Sequence, residues 1–414
     1  MDIRNGASQP AAPRGRGFGH GAGFWIAAAT FFVVMAYSTA PTPLWGLLQQ
    51  RDGFSTFAIT IAFAAYAVGV VISLFLVGHL GDTVGRRPLV GAGVVVELVS
   101  AVVFLVWPAL SGLIVARVLS GLGVGMLTAT ITAHIMELHR RHRPGSTPAR
   151  GQIVSGAANL GGFGAGALVS GVLAQWAPAP TVTPFAVFLV LMVLALVGIT
   201  LVPETASSQE VRAPYRPQRI RVPADARGVF LLAGGITFAA FAVLGLFTSL
   251  VPVVVAGQLH ITSPAASGSV VFVTFTAGAV AQILLRAIPP RRKIGIGAGL
   301  LAVGIALVTV VVVTSGGLAS FFVGGIVSGA GAGLLFTAAL ATAGGLAAPE
   351  HRGEVLAGIF LVGYIGLTVP VVGIGVATLM VSLTTALTGF AVVIIAAALL
   401  TAVPLVVATG RRAA

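Results

Sequence analysis

The sequence predicts an all-α membrane protein: twelve transmembrane helices in two pseudo-symmetric six-helix bundles. Three observations carry this reading. The 414 residues are 57% hydrophobic and only 8% charged, a balance that would leave a water-exposed surface largely apolar. The apolar residues fall into twelve runs of membrane-spanning length. The cations crowd into alternate gaps between those runs.

A hydrocarbon core ~30 Å thick needs ~20 apolar residues per helix. The first six runs are Phe24–Leu48, Phe57–Gly78, Leu89–Trp107, Leu110–Met136, Ile153–Ala174 and Phe185–Val202. The second six are Val229–Ala256, Ala266–Leu285, Ile294–Val313, Leu318–Ala343, Val355–Leu379 and Thr385–Ala408. Their glycines and valines do not argue against helix, because in lipid the backbone must satisfy its own hydrogen bonds. Organisation follows directly. Residues 1–23 are Gly-, Pro- and Arg-rich and are expected to be a disordered cytoplasmic arm. Residues 24–203 and 229–408 form the two bundles, joined by the polar, basic linker 204–228 and followed by the tail 409–414. Ser38-Thr39-Ala40 mimics a signal-cleavage site, but the apolar run continues past it.

With the N-terminus inside, every Lys and Arg except Arg51 and Arg117 falls on the inner side. The positive-inside rule therefore places both termini in the cytoplasm and the chain in the cytoplasmic membrane. It also explains the net charge of +13: these arginines face anionic lipid headgroups, and no nucleic-acid partner is implied. There is no cysteine, hence no disulfide, thiolate metal site or cysteine nucleophile. No cofactor or metal is expected, and a monomer is the expected state.

The two halves echo each other. Arg86-Arg87 before Leu89 recurs as Arg291-Arg292 before Ile294, an offset of 205. Ser120-Gly121-Leu122-Gly123-Val124-Gly125 recurs as Ser328-Gly329-Ala330-Gly331-Ala332-Gly333, an offset of 208. Weak internal symmetry at half the chain length is what duplicated transporter folds show.

Between the second and third runs stands Gly78-His79-Leu80-Gly81-Asp82-Thr83-Val84-Gly85-Arg86-Arg87. The pattern G-x-L-x-D-x-x-G-R-R resembles the loop signature of the major facilitator superfamily, with Gly78, Leu80, Asp82, Gly85, Arg86 and Arg87 at matching positions. The resemblance implies a conformational latch between the halves. Asp82 would accept hydrogen bonds from the start of span eleven near Val355–Gly358, and Glu137 would pair with Arg86 or Arg87. The second-half copy carries Ala287 where the aspartate would stand.

Other strings extend the resemblance. Arg117, followed by Gly121 and Gly125 on one face, is similar to the fourth-span motif that the family links to proton coupling. An intramembrane arginine costs at least ~2.5–3.5 kcal/mol and needs a wet cavity, a partner or an escape by snorkelling. Gly162, Gly166 and Gly171 in span five resemble a degenerate antiporter motif, with Ala167 in place of its proline; close helix packing alone would explain the same glycines. Pro203-Glu204-Thr205 closes span six as in many members and serves as a boundary marker. Glu97 is the one carboxylate well inside a span. It is either a proton carrier or a structural partner of Arg117.

The central cavity is expected between spans one, four, seven and ten with their neighbours. Candidate lining groups are Tyr37, Thr39, Thr42, Thr128, Thr132, His134, Gln152, Asn159, Thr248, Gln282, Thr337 and Tyr364. Such residues also serve as interhelical hydrogen-bonding groups. Pro41, Pro43, Pro252 and Pro370 are placed to kink their helices. No G-x-x-x-x-G-K-[ST] loop is present, so ATP is not the direct energy source. No nucleophile–base pair suggests an enzyme. The resemblance implies a secondary transporter, closest in pattern to bacterial drug or sugar efflux proteins exchanging a small molecule for protons. Uptake, uncoupled facilitation and a receptor-like scaffold are its alternatives.

Overall fold

The computed structural model describes residues 18–77, 80–206, 217–348 and 351–411; of residues 82, 83, 410 and 411 it describes the backbone alone. Gly78 and the Asp82 side chain therefore lie outside the described residues. Twelve helices long and apolar enough to cross a membrane are present, and no strand occurs among the described residues.

Span one is α1 (His20–Thr39), a 3-10 turn (Thr42–Leu44) and α2 (Trp45–Asp52). The break lies at Pro41 and Pro43, which cannot donate to a helical ladder. Helix α1 starts at His20, inside the stretch expected to be disordered, because Gly23 and Phe24 already pack into the bundle. The remaining first-half spans are α3 (Thr56–Leu76), α5 (Arg86–Val106), α6 (Leu110–His142), α7 (Ala149–Trp176) and α8 (Thr183–Thr200), with the short α4 (Gly81–Val84) before α5. The second half holds α9 (Arg227–Gly257), α10 (Pro264–Leu284), α11 (Pro290–Val313), α12 (Leu318–Gly344), α13 (Arg352–Ala377) and α14 (Leu383–Arg411). Helix α6 outruns its expected end at Met136 by more than a turn, through the polar His139–His142 segment. Pro252, Pro370 and Pro404 lie inside α9, α13 and α14.

The packing repeats. In the first half α1 packs on α6, α7 and α8, α6 on α3 and α5, and α5 on α8; in the second α9 packs on α12, α13 and α14, α12 on α10 and α11, and α11 on α14. Each first-half pair thus has its counterpart. The halves meet along two seams, α7 with α10 and α3 with α13. Local detail follows the same offset of 208: Ser55 caps α3 by accepting from the Ala58 N–H at 3.2 Å, and Ser263 caps α10 from the Ala266 N–H at 3.1 Å.

Close backbone approach holds these helices, because lipid offers no hydrophobic drive between them. A Cβ on Gly121 would collide with the Tyr66 carbonyl, and one on Gly329 with the Thr274 carbonyl. Gly125 sits against Val70 and Gly333 against Gly278. The repeated glycine string is therefore one helix–helix seam, built twice.

At the end of the molecule opposite the termini, the halves are closed. Helix α2 packs on α9, the Trp45 side chain is buried, and Gly375 of α13 lies against Thr60 of α3.

Gly121→Ala is expected to cost about 1–3 kcal/mol of overpacking strain and to lower the unfolding temperature in detergent. Gly156→Ala, on α7 with no atom within 4 Å of the new methyl, should leave it unchanged.

Candidate functional site

Two polar constellations interrupt the apolar bundles, both in the first half. The first lies at the face carrying the termini. Gly85 turns the chain into α5 at φ 107°, a conformation that favours glycine. The opened N-terminus of α5 is capped from far along the chain by Glu204. One carboxylate oxygen accepts the Arg86, Thr205 and Ala206 N–H groups at 3.1, 2.8 and 2.9 Å, and the other accepts the Arg87 N–H at 3.0 Å. Burial alone would push the Glu204 carboxyl up. The four N–H donors outweigh it and hold the group below the usual carboxylate range.

Around this cap runs an ionic chain. Arg86 makes a bidentate pair with Glu137 at 2.9 and 2.8 Å. The Thr205 hydroxyl donates to Glu137 at 2.6 Å and so accepts from His134 Nδ1 at 2.7 Å. That arrangement assigns the proton of a neutral His134 to Nδ1 and leaves its buried Nε2 without a partner among the described residues. Arg141 donates to the carbonyls of Glu204 and Thr205, and Arg87 to that of Thr200. The expected pairing of Glu137 with Arg86 is present. Glu204 and Thr205, expected to be boundary residues only, are the centre of the network. His134, expected to line the cavity, is fully buried within it. At the start of α13, Gly358 lies against Phe230 of α9 and Ile220 of the linker.

The second constellation lies deep in the bundle, where Glu97 of α5 and Arg117 of α6 are both buried. Arg117 donates to the Ser38 carbonyl of α1 at 2.7 Å, and its guanidinium carbon lies 4.4 Å from the Tyr66 ring centroid and 5.8 Å from that of Phe63. A carbonyl and a cation–π face thus compensate the charge, which rules out snorkelling. Neither Glu97 oxygen makes a well-formed hydrogen bond among the described residues; the Ser120 hydroxyl and the Val124 backbone stand closest to it. Gly123 makes room for this carboxyl, since a Cβ there would meet Glu97 Cγ at 2.8 Å. Tyr37 is no cavity group: its hydroxyl donates to Ser100 at 2.9 Å, and Ser100 donates to the Ala116 carbonyl at 2.8 Å, which braces α1, α5 and α6.

The other polar candidates divide. Thr39 is buried and bonds the Phe163 carbonyl at 2.6 Å, tying α1 to α7. Thr128, Thr248 and Thr337 spend their hydroxyls on their own helix backbones, and Thr132 accepts from Ser155. Asn159, Gln282 and Tyr364 are half-buried. Tyr364 heads an aromatic cluster absent from the sequence-based expectation. Phe241 lies 6.0 Å from Tyr364 and 5.1 Å from Phe336, and Phe336 lies 5.9 Å from Phe360. In α7, Gly162 and Gly166 seat α1, and Gly171 seats the start of α10. Every glycine of the degenerate span-five motif is thus used in packing.

Glu204→Gln should lose about 1 kcal/mol at neutral pH, the usual worth of a helix cap. The folded-state carboxyl titrates below the unfolded value of ~4.3, so its stabilisation is complete above that value and disappears as pH falls through the folded one. Unfolding temperatures of wild type and variant should therefore differ at pH 7 and converge in acid.

The comparisons with known proteins agree with this architecture. The chain is 27% identical over 221 residues to an uncharacterized MFS-type transporter of Mycobacterium tuberculosis, covering 51% of this chain and 35% of the relative. It is 29% identical over 92 residues to the arabinose-proton symporter of Bacillus subtilis, covering 22% and 20%. The chain thus spans about a third or less of the length of these curated relatives. Among solved structures, it is similar to a POT family transporter in complex with 5-aminolevulinic acid (TM-score 0.74, 12% identity, 92% and 94% coverage). It is also similar to the human organic anion transporter MFSD10 (TM-score 0.69, 16% identity, 92% and 99% coverage). At these identities the likeness shows the fold. The family description Major Facilitator Superfamily matches residues 26–369. With that match over most of its length, a repeated six-helix plan and the loop signature, the chain belongs to the major facilitator superfamily of membrane transporters.

Proposed function

We propose that this protein is a proton-coupled secondary transporter that expels a small organic molecule by alternating access, with both termini in the cytoplasm. The carrying observation is Glu97: a buried carboxyl with no well-formed hydrogen bond among the described residues, one helix away from the buried Arg117. An ionised carboxylate in such a site is costly unless a cation turns to it. Proton loss from Glu97 would draw Arg117 away from Ser38 and Tyr66. Proton gain would return it to α1, the helix that joins α6, α7 and α8. The coupling is thus a competition for one guanidinium between a carboxyl and a carbonyl with an aromatic face.

The half-buried Phe241, Phe336, Phe360 and Tyr364 support a substrate with an apolar or aromatic face, such as a drug or an amphipathic metabolite. The ionic chain of Arg86, Glu137, Thr205 and Glu204 acts as the first-half part of the latch. The packed ends at Trp45 and Thr60 are the gate that must part on the far side. Proton-coupled sugar uptake is the second reading, favoured by the similarity to the arabinose-proton symporter.

In proteoliposomes screened with a compound panel, Glu97→Gln should transport without dependence on a pH gradient, and Arg117→Ala should lose accumulation down to the equilibrium ratio. Wild-type pH dependence in Glu97→Gln would overturn the coupling. The direction of gradient-driven flux separates efflux from uptake. Orientation has its own test: Ser146→Cys, the one cysteine in a chain that has none, should react with an impermeant maleimide in inside-out vesicles and not in intact cells.

A further inference from the structure

A cavity of about 320 Å³ opens at the termini-bearing face, where the first turn of α1, the last turn of α6 and the first turn of α7 converge. Its wall includes Trp25, His139, His142, Arg143 and Arg150, and none of its lining residues is a carboxylate. The carboxylates nearest in sequence on α6 and after α8 are committed elsewhere, Glu137 to Arg86 and Thr205, and Glu204 to the cap of α5. Two arginines and two histidines thus gather here with no carboxylate among the described lining residues. The helix starts add to this basic grouping, because neither α1 nor α7 has a side-chain cap on its N-terminal N–H groups.

The walls are arranged rather than merely basic. Gly21 brings the backbone of α1 against the His142 ring; a Cβ there would meet the imidazole at 2.7 Å. Arg150 lies over the Trp25 ring at 5.8 Å, and Phe24 packs edge-on to Trp25 at 5.1 Å and tilted against His139 at 5.5 Å. The buried His139 donates to or accepts from Ser146 at 3.3 Å, which fixes the loop carrying Arg143.

The occupant is identified by what leads away from the cavity. Trp25 is 54% exposed and Phe32 is 38% exposed. With Ala22 and Ala29 they form an exposed apolar stripe at helical spacing along α1. A soluble anion has no use for such a stripe, whereas acyl chains hanging from a bound phosphate would lie along it. A tryptophan beside arginines at the end of a span also marks headgroup depth. We propose that this cavity binds the phosphodiester headgroup of an anionic phospholipid from the leaflet at the termini-bearing face, with the acyl chains along Ala22, Trp25, Ala29 and Phe32. The bound lipid bridges α1, α6 and α7. The site stands whatever solute the transporter carries.

The test uses the full chain purified in detergent. Binding is read by lipid retained in native mass spectrometry and by the shift in unfolding temperature, with phosphatidylglycerol, phosphatidylcholine and inorganic phosphate as separate probes. Phosphatidylglycerol should bind and stabilise; the other two should not. The double variant Arg143→Gln/Arg150→Gln should weaken phosphatidylglycerol binding about 30-fold, while Arg291→Gln/Arg292→Gln, at the same face of the second half, should not. If the double variant is not recovered folded, Arg143→Gln alone, on an exposed loop, should weaken binding about fivefold. Trp25→Ala should weaken retention of the lipid as well. Equal stabilisation by inorganic phosphate would show an anion site without lipid recognition and overturn the proposal. So would equal binding of phosphatidylcholine, or loss of binding in the Arg291/Arg292 control.

Discussion

The Tyr66 carbonyl rests against Gly121, where no side chain larger than hydrogen fits. That approach of α3 to α6 sets most of what lies around it. It carries the Tyr66 ring to within 4.4 Å of Arg117, one turn along α6 from the glycine. It fixes the register at which Gly123 opens space for Glu97 on the other side of α6. In lipid the helices gain little from excluding water from each other, so contact at backbone distance is the available adhesive. The charges can be held in the bundle because their surroundings are positioned this tightly.

The second half keeps the adhesive and drops the charge. At the offset of 208 that aligns Tyr66 with Thr274 and Gly121 with Gly329, Arg117 aligns with Gly325, which sits against Thr274 and Phe247. Gly93 and Gly297 make matching approaches to Gly123 and Gly331, which aligns Glu97 with the buried Leu301. One scaffold therefore serves two purposes. The first half holds the buried Arg117 and Glu97, and the second offers the half-buried aromatic cluster.

The spans, the repeat and the Arg86–Glu137 pair were legible in the sequence because each leaves a linear trace: hydropathy, offset, charge at a helix end. The roles of Tyr37, Thr39, His134 and Thr248 were not. A threonine in a span can turn its hydroxyl to its own helix, as Thr128 and Thr248 do, or across to another, as Thr39 does. Only the helix rotation decides between these. The phenylalanines of the aromatic cluster were invisible for the opposite reason, since in an apolar run they look like lipid-facing residues. Glu204 carried one usable signal. A carboxylate just past a span end, at the same face as a glycine-arginine turn, is a helix cap waiting for an N-terminus.

That cap joins residues 118 positions apart in the chain. Ribosomes add about 5–20 residues per second. The start of α5 therefore waits on the order of 6–24 s, with its first N–H groups uncapped, before Glu204 exists to receive them. During that interval spans three to six must enter the bilayer with the loop still unlocked. The first bundle is completed by the residue that follows its last span. The cap therefore cannot close until all six spans of the first bundle have been made.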